Sequence, residues 1–112
     1  MQGNINQLIQ LIAKHFTFDE KTYPELKGAS EEERLAFAVK HSALHFAKTA
    51  GKIAAVSEDA DHGGAIDIAD LKINTTKALI SILRLAELLN MSEKDLIKAI
   101  EEKYNDRISP TE

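Results

Sequence analysis

The chain has 112 residues, room for one domain with a modest core, and 44% of them are hydrophobic, which excludes a disordered composition. It has no cysteine, which excludes disulfides and thiolate metal sites, and no tryptophan, so Leu, Ile and Ala must build the core. A net charge of -4 argues against nucleic-acid binding as the main role, since neutralising many phosphates needs a basic excess.

The N-terminus carries no signal-peptide pattern, and no stretch approaches the ~20 continuous apolar residues of a membrane span. The expected location is therefore the cytoplasm. Asn4 is the expected N-cap of a first helix over about Ile5–Phe16, where Ile5, Leu8, Ile9, Ile12 and Phe16 share one face. Thr17–Gly28 is polar and holds Tyr23-Pro24; the residue before a proline avoids the α region, so a loop or short turn is expected there.

Ser30-Glu31-Glu32-Glu33 is a capping box that opens a long second helix, expected to reach about Val56. Its main apolar stripe is Leu35, Val39, Phe46, Ala50 and Ile53, and the Asp- and Gly-dense segment Ser57–Gly64 should break it. A third helix is expected over about Ala65–Leu89. Ile68, Leu71, Thr75, Leu79, Ile82, Ala86 and Leu89 recur there at alternating three- and four-residue steps, the pattern of a seam for packing on another helix. Ile73, Ile80 and Leu83 widen its apolar surface, which suggests a homodimer or higher assembly.

Asn90-Met91 ends that helix, and Ser92-Glu93-Lys94-Asp95 caps a fourth, to about Tyr104, with Leu96, Ile97, Ala99 and Ile100 facing inward; Arg107–Glu112 should fray. No alternating run predicts a strand. The expected fold is all-α: a single-domain four-helix bundle with a long antiparallel central pair.

Two polar stripes carry the candidate chemistry. His41, His45, Lys48 and Lys52 share one face of the second helix, and Asp67, Asp70, Asn74, Lys77, Ser81 and Arg84 share one face of the third. An antiparallel pairing brings Lys52 near Asp67 or Asp70. The stripes are either two solvated faces with weak ion pairs or the walls of one cleft. In the second case His41, His45, Lys48, Lys52 and Lys77 form an anion-binding set.

Leu83-Arg84-Leu85-Ala86, Leu89-Asn90-Met91-Ser92, Asp95-Leu96 and Ala99-Ile100-Glu101-Glu102-Lys103 resemble the end of a MazG-like all-α nucleotide pyrophosphohydrolase domain. Phe46-Ala47-Lys48-Thr49-Ala50-Gly51-Lys52-Ile53-Ala54 resembles the helix bearing that family's first acidic motif, and the likeness covers roughly Glu33 to Lys103. The resemblance implies a helical bundle that holds magnesium with two carboxylate motifs, binds nucleotide phosphates and releases pyrophosphate. Here the first-motif positions fall on Ala47, Lys48 and Lys52, and the second-motif positions on Asn74 and Lys77. A charged lysine is not a ligand, so the usual metal site is expected to be lost.

Asp67 and Asp70 lie two turns before Asn74 and Lys77 on the same face. With Glu58, Asp59 or Asp61 they form a candidate displaced magnesium site, with Asp67 and Asp70 as candidate catalytic acids; otherwise they are first-turn acids that favour the helix dipole. His41 and His45, with His62, have partial zinc spacing but no intervening Glu. Gly51-Lys52 lacks the other P-loop residues, and Asp61-His62-Gly63-Gly64 is either a turn or a loop with His62 as a base. The activity stays open between a nucleotide-phosphate binder with weak or no catalysis, a magnesium-dependent pyrophosphohydrolase, and a non-catalytic oligomeric interaction protein.

Overall fold

The computed structural model describes residues 4–108. Four α-helices follow one another, α1 (Ile5–His15), α2 (Glu31–Asp61), α3 (Ile68–Leu88) and α4 (Glu93–Ile108), with one short 3-10 turn at Pro24–Leu26. No strand is present among the described residues.

The starts of the helices follow local rules. Asn4 accepts from the Gln7 N–H and caps α1. Ser30 and Glu33 exchange both bonds of a capping box at α2. Asp67 accepts from the Asp70 N–H at α3, and Ser92 and Asp95 bond reciprocally at α4.

The ends depart from expectation. α2 does not stop at Val56 but continues to Asp61, because Ser57, Glu58, Asp59 and Ala60 tolerate helix. The stop is Gly63, at φ 92°, where the N–H groups of Gly63 and Gly64 close on the carbonyls of Ala60 and Asp59. α3 accordingly begins at Ile68, three residues later than expected. Asn90, at φ 58°, ends it, with the Met91 N–H returning to the Ala86 carbonyl. α4 runs on to Ile108; the remainder of the expected frayed tail, residues 109–112, lies outside the described residues.

The apolar core sits where α1 meets the C-terminal half of α3. Ile9 and Ile12 pack with Leu83 and Ala86, and Ile5, Leu8, Ile80, Met91 and Leu96 close around them. α4 joins through its first turn: Glu93 accepts from the Ile5 N–H at 2.8 Å, and Asn6 accepts from the Glu93 N–H at 2.8 Å. Beyond that turn Ile97, Ala99 and Ile100 are exposed, contrary to their expected inward orientation, because none of the described elements covers them.

The contact between α2 and α3 is the largest between the described elements, and it is rich in buried polar residues. The buried residues of the two helices are Ala38, Ser42 and Thr49 on α2, and Asn74, Ser81 and Arg84 on α3 beside Leu83 and Ala86 of the apolar core. Much of the expected hydrophobic seam faces out: Ile68, Leu79 and Ile82 on α3 and Leu89 at its C-cap are exposed, as are Leu35 and Phe46 on α2, while Leu71 is half-buried and Ala86 joins the core. Small residues at the crossing let the two backbones approach, and the larger apolar ones are left on the flank. The radius of gyration is 17.6 Å, against about 13 Å for a closed domain of this length. No helix of the described residues is long and apolar enough to cross a membrane.

Candidate functional site

Successive residues turn by about 100° around a helix. His41, His45, Lys48 and Lys52 therefore share the flank of α2 opposite Leu35 and Phe46. They face Lys77, Ile80, Ser81 and Arg84 of α3 across a cleft of about 740 Å³. The segment after α1 supplies a third wall with Phe16, Phe18, Thr22 and Tyr23. All five expected anion-binding residues, His41, His45, Lys48, Lys52 and Lys77, line this one space, and among the described residues no Asp or Glu does. In a chain of net charge -4, that sorting makes a local region of positive potential.

The aromatic wall is tightly built. Phe18 stacks on Tyr23 with ring centres 5.5 Å apart, and Phe37 lies edge-on to Tyr23 at 5.1 Å. His41 sits among them, its Nε2 3.1 Å from the Tyr23 hydroxyl and its ring 4.5 Å from that of His45. Burial holds the His41 pKa below its usual value, the neighbouring His45 adds to the effect, and Glu25 opposes it. His41 at neutral pH is thus a hydrogen-bonding ring that steadies Tyr23 rather than a cation.

Arg84 is the buried charge of the site, only 8% exposed. It pairs with Glu87 one turn on, and its guanidinium carbon lies 4.7 Å from the centre of the Phe18 ring. Its Nε is buried with no hydrogen-bond partner. Arg84 and the aromatic wall belong to the site, although only Lys77 of α3 was expected in the anion-binding set. The available signal was compositional: three of the six Phe and Tyr residues fall between positions 16 and 23.

A second cleft of about 420 Å³ continues along the helix pair, and Lys52 and Lys77 line both. It gathers Asp59, Asp67, Asp70 and Asn74. Asp67 is engaged as the α3 cap, and Asp70 accepts from the Asn74 amide at 3.1 Å. The Asn74 carbonyl oxygen, Oδ1, is buried without a partner. Glu58, Asp61 and His62 line neither cleft. The described residues hold no group of three or more His, Asp or Glu placed for a metal ion. Lys52 shares a cleft with Asp67 and Asp70, but the ion pairs among the described residues are Arg34–Glu20 and Arg84–Glu87.

The positions that the MazG-like resemblance makes metal ligands are Ala47, Lys48, Lys52, Asn74 and Lys77, of which only Asn74 offers a side-chain oxygen. That donor set does not fit magnesium. No family model, curated protein or solved structure matches the chain. What fold and site define is an all-helical protein with a basic, aromatic-walled cleft.

Proposed function

We propose that this chain is a divergent MazG-like protein that binds nucleotide phosphates between α2 and α3, with weak or no pyrophosphohydrolase activity. The finer architecture in this reading is a four-helix bundle with α2 and α3 as its antiparallel central pair. The carrying observation is the cleft, free of acids among the described residues, that joins Lys48, Lys52 and Lys77 to Phe16, Phe18 and Tyr23. A nucleotide has the matching halves. Its phosphates suit lysine ammonium groups, and its base offers a flat face to aromatic rings.

The test is calorimetric titration with nucleoside mono- and triphosphates in EDTA, beside an assay of pyrophosphate release with and without Mg²⁺. Metal-independent binding, weakened about 10- to 100-fold in a Lys48→Ala, Lys52→Ala double variant, supports the reading. Absence of binding by a folded sample refutes it.

A second reading is an active magnesium-dependent pyrophosphohydrolase using Asp67 and Asp70. It is favoured by the continuity of their cleft with the basic one. Magnesium is commonly held by one or two carboxylates together with substrate phosphates. Metal-dependent release of pyrophosphate, abolished by Asp67→Asn with Asp70→Asn, decides for it.

A further inference from the structure

The smaller cleft, between the end of α2 and the start of α3, has the opposite chemistry to its neighbour. Asp59, Asp67 and Asp70 bring carboxylates to it, and Asn74 adds an amide whose direction is fixed. The Asn74 Nδ2 donates to the Asp70 carbonyl oxygen and to Asp70 Oδ2, both at 3.1 Å. Carbonyl and carboxylate oxygens accept, so the amide cannot be turned round, and Oδ1 is its free end. Oδ1 has no donor among the described residues, on a residue only 3% exposed. A buried acceptor in that position costs free energy until a donor reaches it.

The rest of the lining selects the donor. Lys52 and Lys77 are its cations among the described residues, and both also line the basic cleft, where phosphates would engage them. Three carboxylates and one amide oxygen remain, beside the apolar Val56 and Ile73. An organic ammonium suits that combination: it has N–H donors and positive charge, on carbon that packs against the apolar wall. Magnesium is served less well. The described residues place no group of three or more His, Asp or Glu for a metal, and a hydrated ion gains nothing from Val56 and Ile73.

We propose that the acidic cleft binds a primary ammonium group, carried beyond the phosphates of a nucleotide seated in the basic cleft, with Asn74 Oδ1 and the Asp70 carboxylate accepting from it. The inference rests on the nucleotide reading of the basic cleft and adds the other end of the ligand.

The order of side chains along the helix pair matches such a ligand. From the aromatic wall, Arg84, Lys77, Asn74 and Asp70 follow one another along α3. Lys77 and Asn74 are three residues apart, about 4.5 Å along the axis, a distance that a short alkyl arm from phosphate to nitrogen spans.

Calorimetric titration of the full chain in EDTA tests it with cytidine diphosphate (CDP), CDP-ethanolamine and CDP-choline. The last two carry the same charge on the same alkyl arm, and only the ethanolamine nitrogen has N–H groups to donate. CDP-ethanolamine is expected to bind about 10-fold more tightly than CDP-choline. That preference should vanish in Asn74→Leu, which removes the buried acceptor. It should also shrink in Asp70→Asn, a change of charge without change of size at a part-exposed position. Helical circular dichroism checks that each variant is folded, and Asp70→Asn carries the test if Asn74→Leu is not. Equal affinity for the two amine-bearing probes, with CDP itself bound, overturns the proposal and leaves the reading of the basic cleft standing. A preference that survives in the folded variants overturns it as well. If none of the probes binds a folded sample, both fail.

Discussion

His41 is packed among Tyr23, Phe18, Phe37 and His45, and its pKa is lowered chiefly by burial. The sign follows directly. As pH falls below the ordinary value of 6.5, the unfolded chain takes up this proton before the folded one does. Stability is therefore complete above that value and is lost as pH falls through the lowered one. Denaturation midpoints measured from about pH 7.5 to pH 5 should fall for the parent chain and stay flatter for His41→Gln, which keeps a partner for Tyr23. Asp19, Glu33 and Asp95 act in a lower window. Backbone hydrogen bonds depress each, so their contribution is present above the ordinary carboxylate value and lost as pH falls through the depressed one.

Arg84 gives a second test at this scale. Glu87→Gln leaves a buried guanidinium without its counter-charge and should cost about 1–2 kcal/mol in chemical denaturation, moderated because the carboxylate is part-exposed. Arg84→Met should retain the fold but weaken phosphate binding. Equal affinity in that variant would remove Arg84 from the site.

Among the elements, the caps make the sharpest predictions. Ser30→Ala breaks the capping box at the head of the longest helix and should lower stability by about 1 kcal/mol. At the other end, a Cβ added at Gly64 would stand 2.8 Å from the Asp59 carbonyl oxygen, which is backbone and cannot swing aside. Gly63 takes a left-handed conformation that side chains resist. Alanine at either position should destabilise by about 1–2 kcal/mol and loosen the α2–α3 turn, read as a lower melting temperature with helix content preserved. The Asn4, Ser30 and Ser92 caps were legible in sequence because capping is local: the acceptor lies within three residues of the donor it satisfies. The true end of α2 was less legible. Acidic residues weaken a helix only slightly, and the density of Asp near position 60 obscured a glycine stop.

For the whole molecule, the distribution of burial matters most. The intact chain places Ser42, Thr49, Asn74 and Ser81 inside and Leu79, Ile82, Leu35 and Phe46 outside. If a second copy covers that outer face, folding and association are linked, and the melting temperature should rise with protein concentration over the micromolar range. A concentration-independent transition would indicate a self-sufficient monomer. Binding at the basic cleft should weaken as salt rises, since Lys48, Lys52 and Lys77 act across an open, hydrated space.

The order of residues was enough for the four helices, for the Asn4, Ser30 and Ser92 caps and for the two polar stripes. Each follows from periodicity and short-range hydrogen bonding, which the order of residues encodes directly. Steps of three and four also put His41, His45, Lys48 and Lys52 on one face of α2, but left open whether that face met Lys77 of α3 across a cleft. Only the tertiary structure decided which side of each helix turned inward. A periodic pattern defines a stripe but does not name its partner, so much of the apolar seam read as internal proved to be outward, with Ala86 the exception that reached the core. The aromatic wall was settled at the same level: Phe18 and Tyr23 reach His41 and Arg84 across 18 to 66 residues of chain, through contacts that no local rule specifies.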